Sequence, residues 1–126
     1  MPTLSSEPGV NEKLGLPFGD GMDKVAFAFD VDGTLIDENW PLANTQAILR
    51  AMLIQKWKNV DIIVWSGGGA DYAETQFRRW FPDLIGAKFH SKLEHKMIRE
   101  RYKYIVAVDD IQDTRLGDVN MIVRNK

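Results

Sequence analysis

The chain has 126 residues, a formal net charge of −2, 44% apolar and 27% charged residues, and no cysteine. That length holds one core and no second module of ordinary size, and the composition is that of a soluble globular protein expected in the cytoplasm. Missing thiols exclude disulfides and thiolate metal sites, and the slight acidity advertises no general affinity for nucleic acid. No run approaches the ~18 apolar residues of a membrane span, and the first residues lack the basic-then-apolar order of a signal peptide.

Residues 1–23 differ from the rest: Pro2, Pro8 and Pro17 interrupt them, and their apolar residues are isolated. They read as a flexible N-terminal arm or, alternatively, a partner-binding segment, ahead of a single domain over 24–126. From Lys24 onward strand-like and helix-like stretches alternate. Val25–Asp30 is a continuous apolar run suited to a strand covered on both faces. Pro41 opens a helical stretch to about Lys56, with Leu42, Ile48, Leu49, Met52 and Leu53 at three- and four-residue spacing. Val60–Trp65 is a second buried strand, ending at Ser66-Gly67-Gly68-Gly69. A helix over Ala70–Trp80 stops near Pro82, and Ile85–His90 is a short third strand. Ser91, with Glu94 three residues on, forms a capping box for a helix to about Tyr102. Tyr104–Val108 is the fourth strand, running into Asp109-Asp110, and Asn120–Val123 is the last.

This alternation predicts an α/β fold: a three-layer, Rossmann-like parallel sheet with helices on both faces. Right-handed crossovers place the carboxyl ends of all strands on one edge, where such proteins bind ligands. Asp30, Asp32, Ser66, Asp109 and Asp110 therefore gather there despite their separation in sequence. Carboxylates so close repel unless a cation or proton sits between them.

Three familiar sites are excluded by spacing. A calcium loop counted from Asp30 would need glycine where Leu35 stands and glutamate where Pro41 stands. The Gly67-Gly68-Gly69 run lacks the third glycine of a dinucleotide fingerprint, with Tyr72 in its place, and no Gly-Lys-Ser/Thr is present. Triple glycine before a helix still offers free backbone N–H groups to an anion.

Together these segments resemble the haloacid dehalogenase superfamily of phosphatases and phosphotransferases. The first motif of that family, a strand followed by Asp-x-Asp-Gly-Thr/Val, is matched by Asp30-Val31-Asp32-Gly33-Thr34. Its second, a strand ending in Ser or Thr, is matched by Ile62–Gly67, and its fourth, a strand ending in paired acids, by Val106–Asp110. Its third is a lysine before the fourth strand. Lys92, beside the Ser91 cap, is the better placed; Lys88 is the alternative, and Lys96 reads as a surface charge. The family's common Lys-Pro pair is absent, since Leu93 follows Lys92.

The resemblance implies a Mg²⁺-dependent phosphomonoesterase. Asp30 would be the nucleophile forming an aspartyl-phosphate, and Asp32 the general acid and then base. Asp30, the Asp32 backbone carbonyl and Asp109 would hold Mg²⁺, with Asp110 binding a metal water or orienting Lys92. Lys92 would offset phosphate charge, and Gly33, Thr34, Ser66 and Gly67 would contact the substrate. Asp113 reads as surface charge. Neither point where the family inserts a cap domain has room for one, since Ile36–Trp40 and Pro82–Ala87 are short. A capless member is expected, its open site covered by a macromolecular substrate, another copy or a partner chain. Basic and aromatic residues from Tyr72 to Phe81 read as a helix with Phe77 and Phe81 in the core and Arg78 and Arg79 in water. Six further bases lie between Lys88 and Lys103. Read as a nucleic-acid surface instead, they give an alternative, a polynucleotide-end phosphatase similar to the phosphatase domains of polynucleotide kinase/phosphatases. A non-catalytic binding domain on the same fold is the third reading.

Overall fold

The computed structural model describes residues 24–111 and 117–123. The N-terminal arm and Asp113 lie outside these residues. The elements are β1 (Val25–Asp30), β2 (Ile36–Asp37), β3 (Trp40–Pro41), α1 (Ala43–Gln55), β4 (Val60–Ser66), α2 (Ala70–Trp80) and β5 (Ala87–Ser91). A 3₁₀ turn (Lys92–Glu94), α3 (His95–Arg101), β6 (Tyr104–Asp109) and β7 (Val119–Ile122) follow.

Five strands form one sheet in the order β5-β4-β1-β6-β7, and every pairing is parallel. The central strand β1 is apolar on both sides because both its faces are covered. Toward one face Phe29 and Val64 pack with Leu49, Met52 and Leu53 of α1 and with Ala73 and Phe77 of α2. Toward the other, Ala26, Ala28, Ile63, Trp65 and Ile105 pack with Ile98 of α3 and Tyr102. The α/β, Rossmann-like layering expected from the alternation is therefore present.

Two local expectations are corrected. Pro41 does not open a helix. Ile36–Asp37 and Trp40–Pro41 pair as a small antiparallel hairpin, and α1 begins at Ala43. The turn residues Glu38 and Asn39 both have positive φ, 48° and 70°, as a two-residue hairpin turn requires. No Asn-Gly or Asp-Gly announces it, so the pattern was silent. Helix α1 is tied to the residue ahead of the hairpin by Gln46 Nε2, which donates to the Leu35 carbonyl at 2.8 Å. Ile48, counted toward the core by spacing, points to solvent.

At the amino edge of the sheet Asp61 collects three partners. Tyr102 Oη donates to its Oδ2 at 2.7 Å, Lys88 Nζ lies 2.8 Å from the same oxygen, and Lys24 Nζ lies 3.6 Å from Oδ1. Burial would raise the Asp61 carboxyl, but the bonds from Lys88 and Tyr102 outweigh it and lower it. Its contribution is therefore present above the ordinary aspartate range and lost as pH falls through the lowered value. Asp61→Ala leaves the Tyr102 hydroxyl unpaired and should cost about 1–3 kcal/mol in urea unfolding at pH 7. The loss should shrink toward pH 3; a pH-independent loss would contradict the ion-pair origin.

Candidate functional site

The parallel register sets the site. Asp30 lies opposite Trp65, and Phe29 opposite Val108, so β1, β4 and β6 run out together. Their last residues, Asp30, Ser66 and Asp109, are 5%, 3% and 1% exposed. One carboxylate oxygen each from Asp30, Asp109 and Asp110 falls within a 4.8 Å cluster. Lys92 joins them from β5's side: its Nζ lies 3.0 Å from Asp30 Oδ1 and 2.8 Å from Asp109 Oδ2. The capping box aims it. Ser91 Oγ accepts from the Leu93 amide at 3.1 Å, and Glu94 accepts from the Ser91 amide at 2.8 Å. Lys92 thus leaves the strand at the first residue of the turn.

Burial, followed by the Asp109 charge, pushes the Asp30 carboxyl up from 3.8 to about 7, although Lys92 opposes both. Burial would lower the Lys92 ammonium, but its bonds to Asp109 and Asp30 outweigh this and raise it. Asp110 is also raised, by burial and by its hydrogen bond to Asp109. One ammonium does not neutralise three carboxylates. Buried oxygens from Asp30 and Asp109, with the exposed Asp110 at the rim, suit a hard divalent cation that keeps part of its water. The three aspartates fit a metal ion.

Other residues fall in unexpected roles. Thr34 is fully enclosed, and its hydroxyl donates to Asp30 Oδ2 at 3.2 Å. It orients Asp30 instead of meeting a substrate. Gly33 sits at φ 86°, its amide donates to the Ile36 carbonyl at 2.6 Å, and a Cβ there would run into the Asp110 carboxylate. Ser66 Oγ accepts from the Gly68 amide at 3.0 Å, and Gly67 is exposed beside it. The carboxylate of Asp32 stands outside the acidic cluster, exposed, and accepts a 2.8 Å hydrogen bond from the Tyr72 hydroxyl. Burial and Asp32 push that phenol up to about 12, so it remains a donor at neutral pH. Tyr72 had a signal in the sequence: it occupies the first turn of the helix that follows the triple glycine, at the same sheet edge.

Of the three candidate lysines, Lys92 alone bonds these acids; Lys88 is committed to Asp61, and Lys96 is exposed. Lys92 donates to Asp109 and pairs with Asp30, so Asp110 is not its orienting partner. Phe77 and Phe81 are core residues stacked at 5.0 Å, while Arg78 and Arg79 are exposed. Arg78 pairs with Glu74, and Arg79 lies over the Trp80 ring. An apolar cleft of about 260 Å³ between the end of α1 and the start of β4 has Lys56 as its one charged lining group, and no acid. No described helix is long and apolar enough to cross a membrane. Neither models of known protein families nor curated proteins match the chain.

The raised Asp30 carboxyl has a signed consequence. Its contribution to stability is complete below the unfolded value near 4 and is lost as pH rises through about 7. Without metal, Asp30→Asn should therefore gain on the parent chain between pH 4 and 7, by about 2–4 kcal/mol in urea unfolding. Saturating Mg²⁺ at pH 7.5 should shrink the gap. A gap that does not vary with pH would show that Asp30 ionises freely.

Proposed function

We propose that the chain is a Mg²⁺-dependent phosphomonoesterase of the haloacid dehalogenase type, working through an aspartyl-phosphate on Asp30. One observation carries it: a buried aspartate at the sheet edge shares a lysine ammonium with Asp109, while a second aspartate two residues on faces solvent. A structural ion pair needs neither Asp110 nor Asp32.

The Asp30, Asp109 and Asp110 carboxylates and the Asp32 backbone carbonyl would hold the ion. When bound, Mg²⁺ supplies positive charge that lets a dianionic phosphate approach a carboxylate. Thr34 and Lys92 fix the Asp30 side chain. One of its oxygens attacks phosphorus, the bond from phosphorus to the leaving oxygen breaks, and Asp32 delivers a proton to that oxygen. Asp32, now a carboxylate, takes a proton from the water that attacks the aspartyl-phosphate, and inorganic phosphate leaves with Asp30 restored. Ser66 Oγ, the Gly67 amide and the Lys92 ammonium bind the phosphoryl oxygens. Between β1 and α1 stands the Ile36–Pro41 hairpin and no cap domain, so a large phosphorylated substrate is accommodated.

Hydrolysis of a nitrophenyl phosphate should require Mg²⁺, stop with chelator, and fall by at least about 10³-fold in Asp30→Asn with the fold intact by circular dichroism. Retained turnover in that variant would sink the nucleophile assignment. Metal binding with no turnover on aryl or oligonucleotide-end phosphates would favour a non-catalytic binding domain.

A further inference from the structure

We infer that Tyr72 is a positioning residue for Asp32, fixing which carboxylate oxygen carries the proton to the leaving group. The inference rests on the phosphatase reading and assigns a task that no part of the Asp-x-Asp motif performs. Asp32 is exposed, and a free carboxyl at a wet surface samples several rotamers and can protonate on either oxygen. Its side-chain partner comes from a different element, the Tyr72 hydroxyl on the first turn of α2, 2.8 Å from Oδ1. A phenol that donates to Oδ1 leaves Oδ2 to hold the transferable proton. Proton transfer depends on hydrogen-bond geometry, so an oriented Oδ2 serves the leaving oxygen better than a rotating carboxyl.

The local chain is built to admit the ring. A side chain at Gly68 would touch it, its Cβ lying 3.3 Å from Tyr72 Cγ and Cδ2, so glycine there keeps the space open. Gly69, at φ 108°, turns the chain into α2, and the Ala73 amide then donates to its carbonyl at 3.1 Å. The hydrogen bond is solvent-exposed and contributes little to folding. Its effect is therefore expected in the rate.

Leaving-group dependence separates this task from a structural one. A nitrophenolate departs without help, whereas an alkoxide needs its proton from Asp32. Tyr72→Phe should lower kcat on an alkyl phosphate by about 10-fold or more while KM moves less than about twofold. On nitrophenyl phosphate its loss should be at least about fivefold smaller than on the alkyl ester. In an Asp32→Asn background, Tyr72→Phe should cause no further loss, as a residue acting through Asp32 requires. Equal losses on both esters, or a loss that adds to that of Asp32→Asn, would overturn the assignment. If the parent chain hydrolyses neither ester with Mg²⁺, the phosphatase reading itself fails and this inference falls with it; if it hydrolyses both and Tyr72→Phe is silent, only this inference falls.

Discussion

The Lys92 ammonium held between Asp30 and Asp109 is the interaction on which the carboxyl edge of this protein depends. Both carboxylates are almost wholly withdrawn from water, and two such charges side by side are strongly unfavourable without a cation. The ammonium lies 3.0 Å from one and 2.8 Å from the other, and 5.5 Å from the centre of the Trp65 ring. Charged groups withdrawn from water in this way gain little net stability, because desolvation offsets most of their attraction. What the arrangement secures is position: Asp30 is fixed by Thr34 on one oxygen and Lys92 on the other.

The surrounding edge divides its labour by exposure. Asp30, Asp109, Thr34 and Ser66 are buried and held by hydrogen bonds, so their geometry is set before any ligand arrives. Asp32, Asp110 and Gly67 face solvent, where protons and ions exchange freely. The hairpin brings Trp40 to the surface with 75% of its area exposed, and it leaves the edge open. Charges at an open edge are screened by water, so the strong electrostatics are confined to the floor beneath it. The opposite edge shows the contrast. Asp61, Lys88, Lys24 and Tyr102 saturate one another there, and among the described residues no cluster of acids for a further cation lies beside them.

Much of this was legible in the sequence, for identifiable reasons. Strands buried on both faces write themselves as apolar runs, which is why β1, β4 and β6 lie within a residue of their expected bounds. The α2 helix lies over Ala70–Trp80 as expected, bounded by glycines and a proline. The Ser91–Glu94 capping box was readable because it is a local exchange of bonds four residues long. The Ile36–Pro41 hairpin was not, since its Glu-Asn turn carries no glycine and Pro41 equally suits a helix start. The resemblance implies a substrate contact for Thr34, and only its complete burial shows the hydroxyl turned toward Asp30.

The sequence by itself determined the layering and the gathering of five chemistry-bearing residues at one edge. Those follow from hydrophobic period and from the handedness of crossovers, which are local or topological rules. Tertiary structure decided which lysine reaches the acids, that Asp61 claims Lys88, and that Tyr72 meets Asp32 from 40 residues away. Such choices turn on distances of a few ångströms between side chains on different elements. A linear pattern carries no metric for them; only packing supplies it.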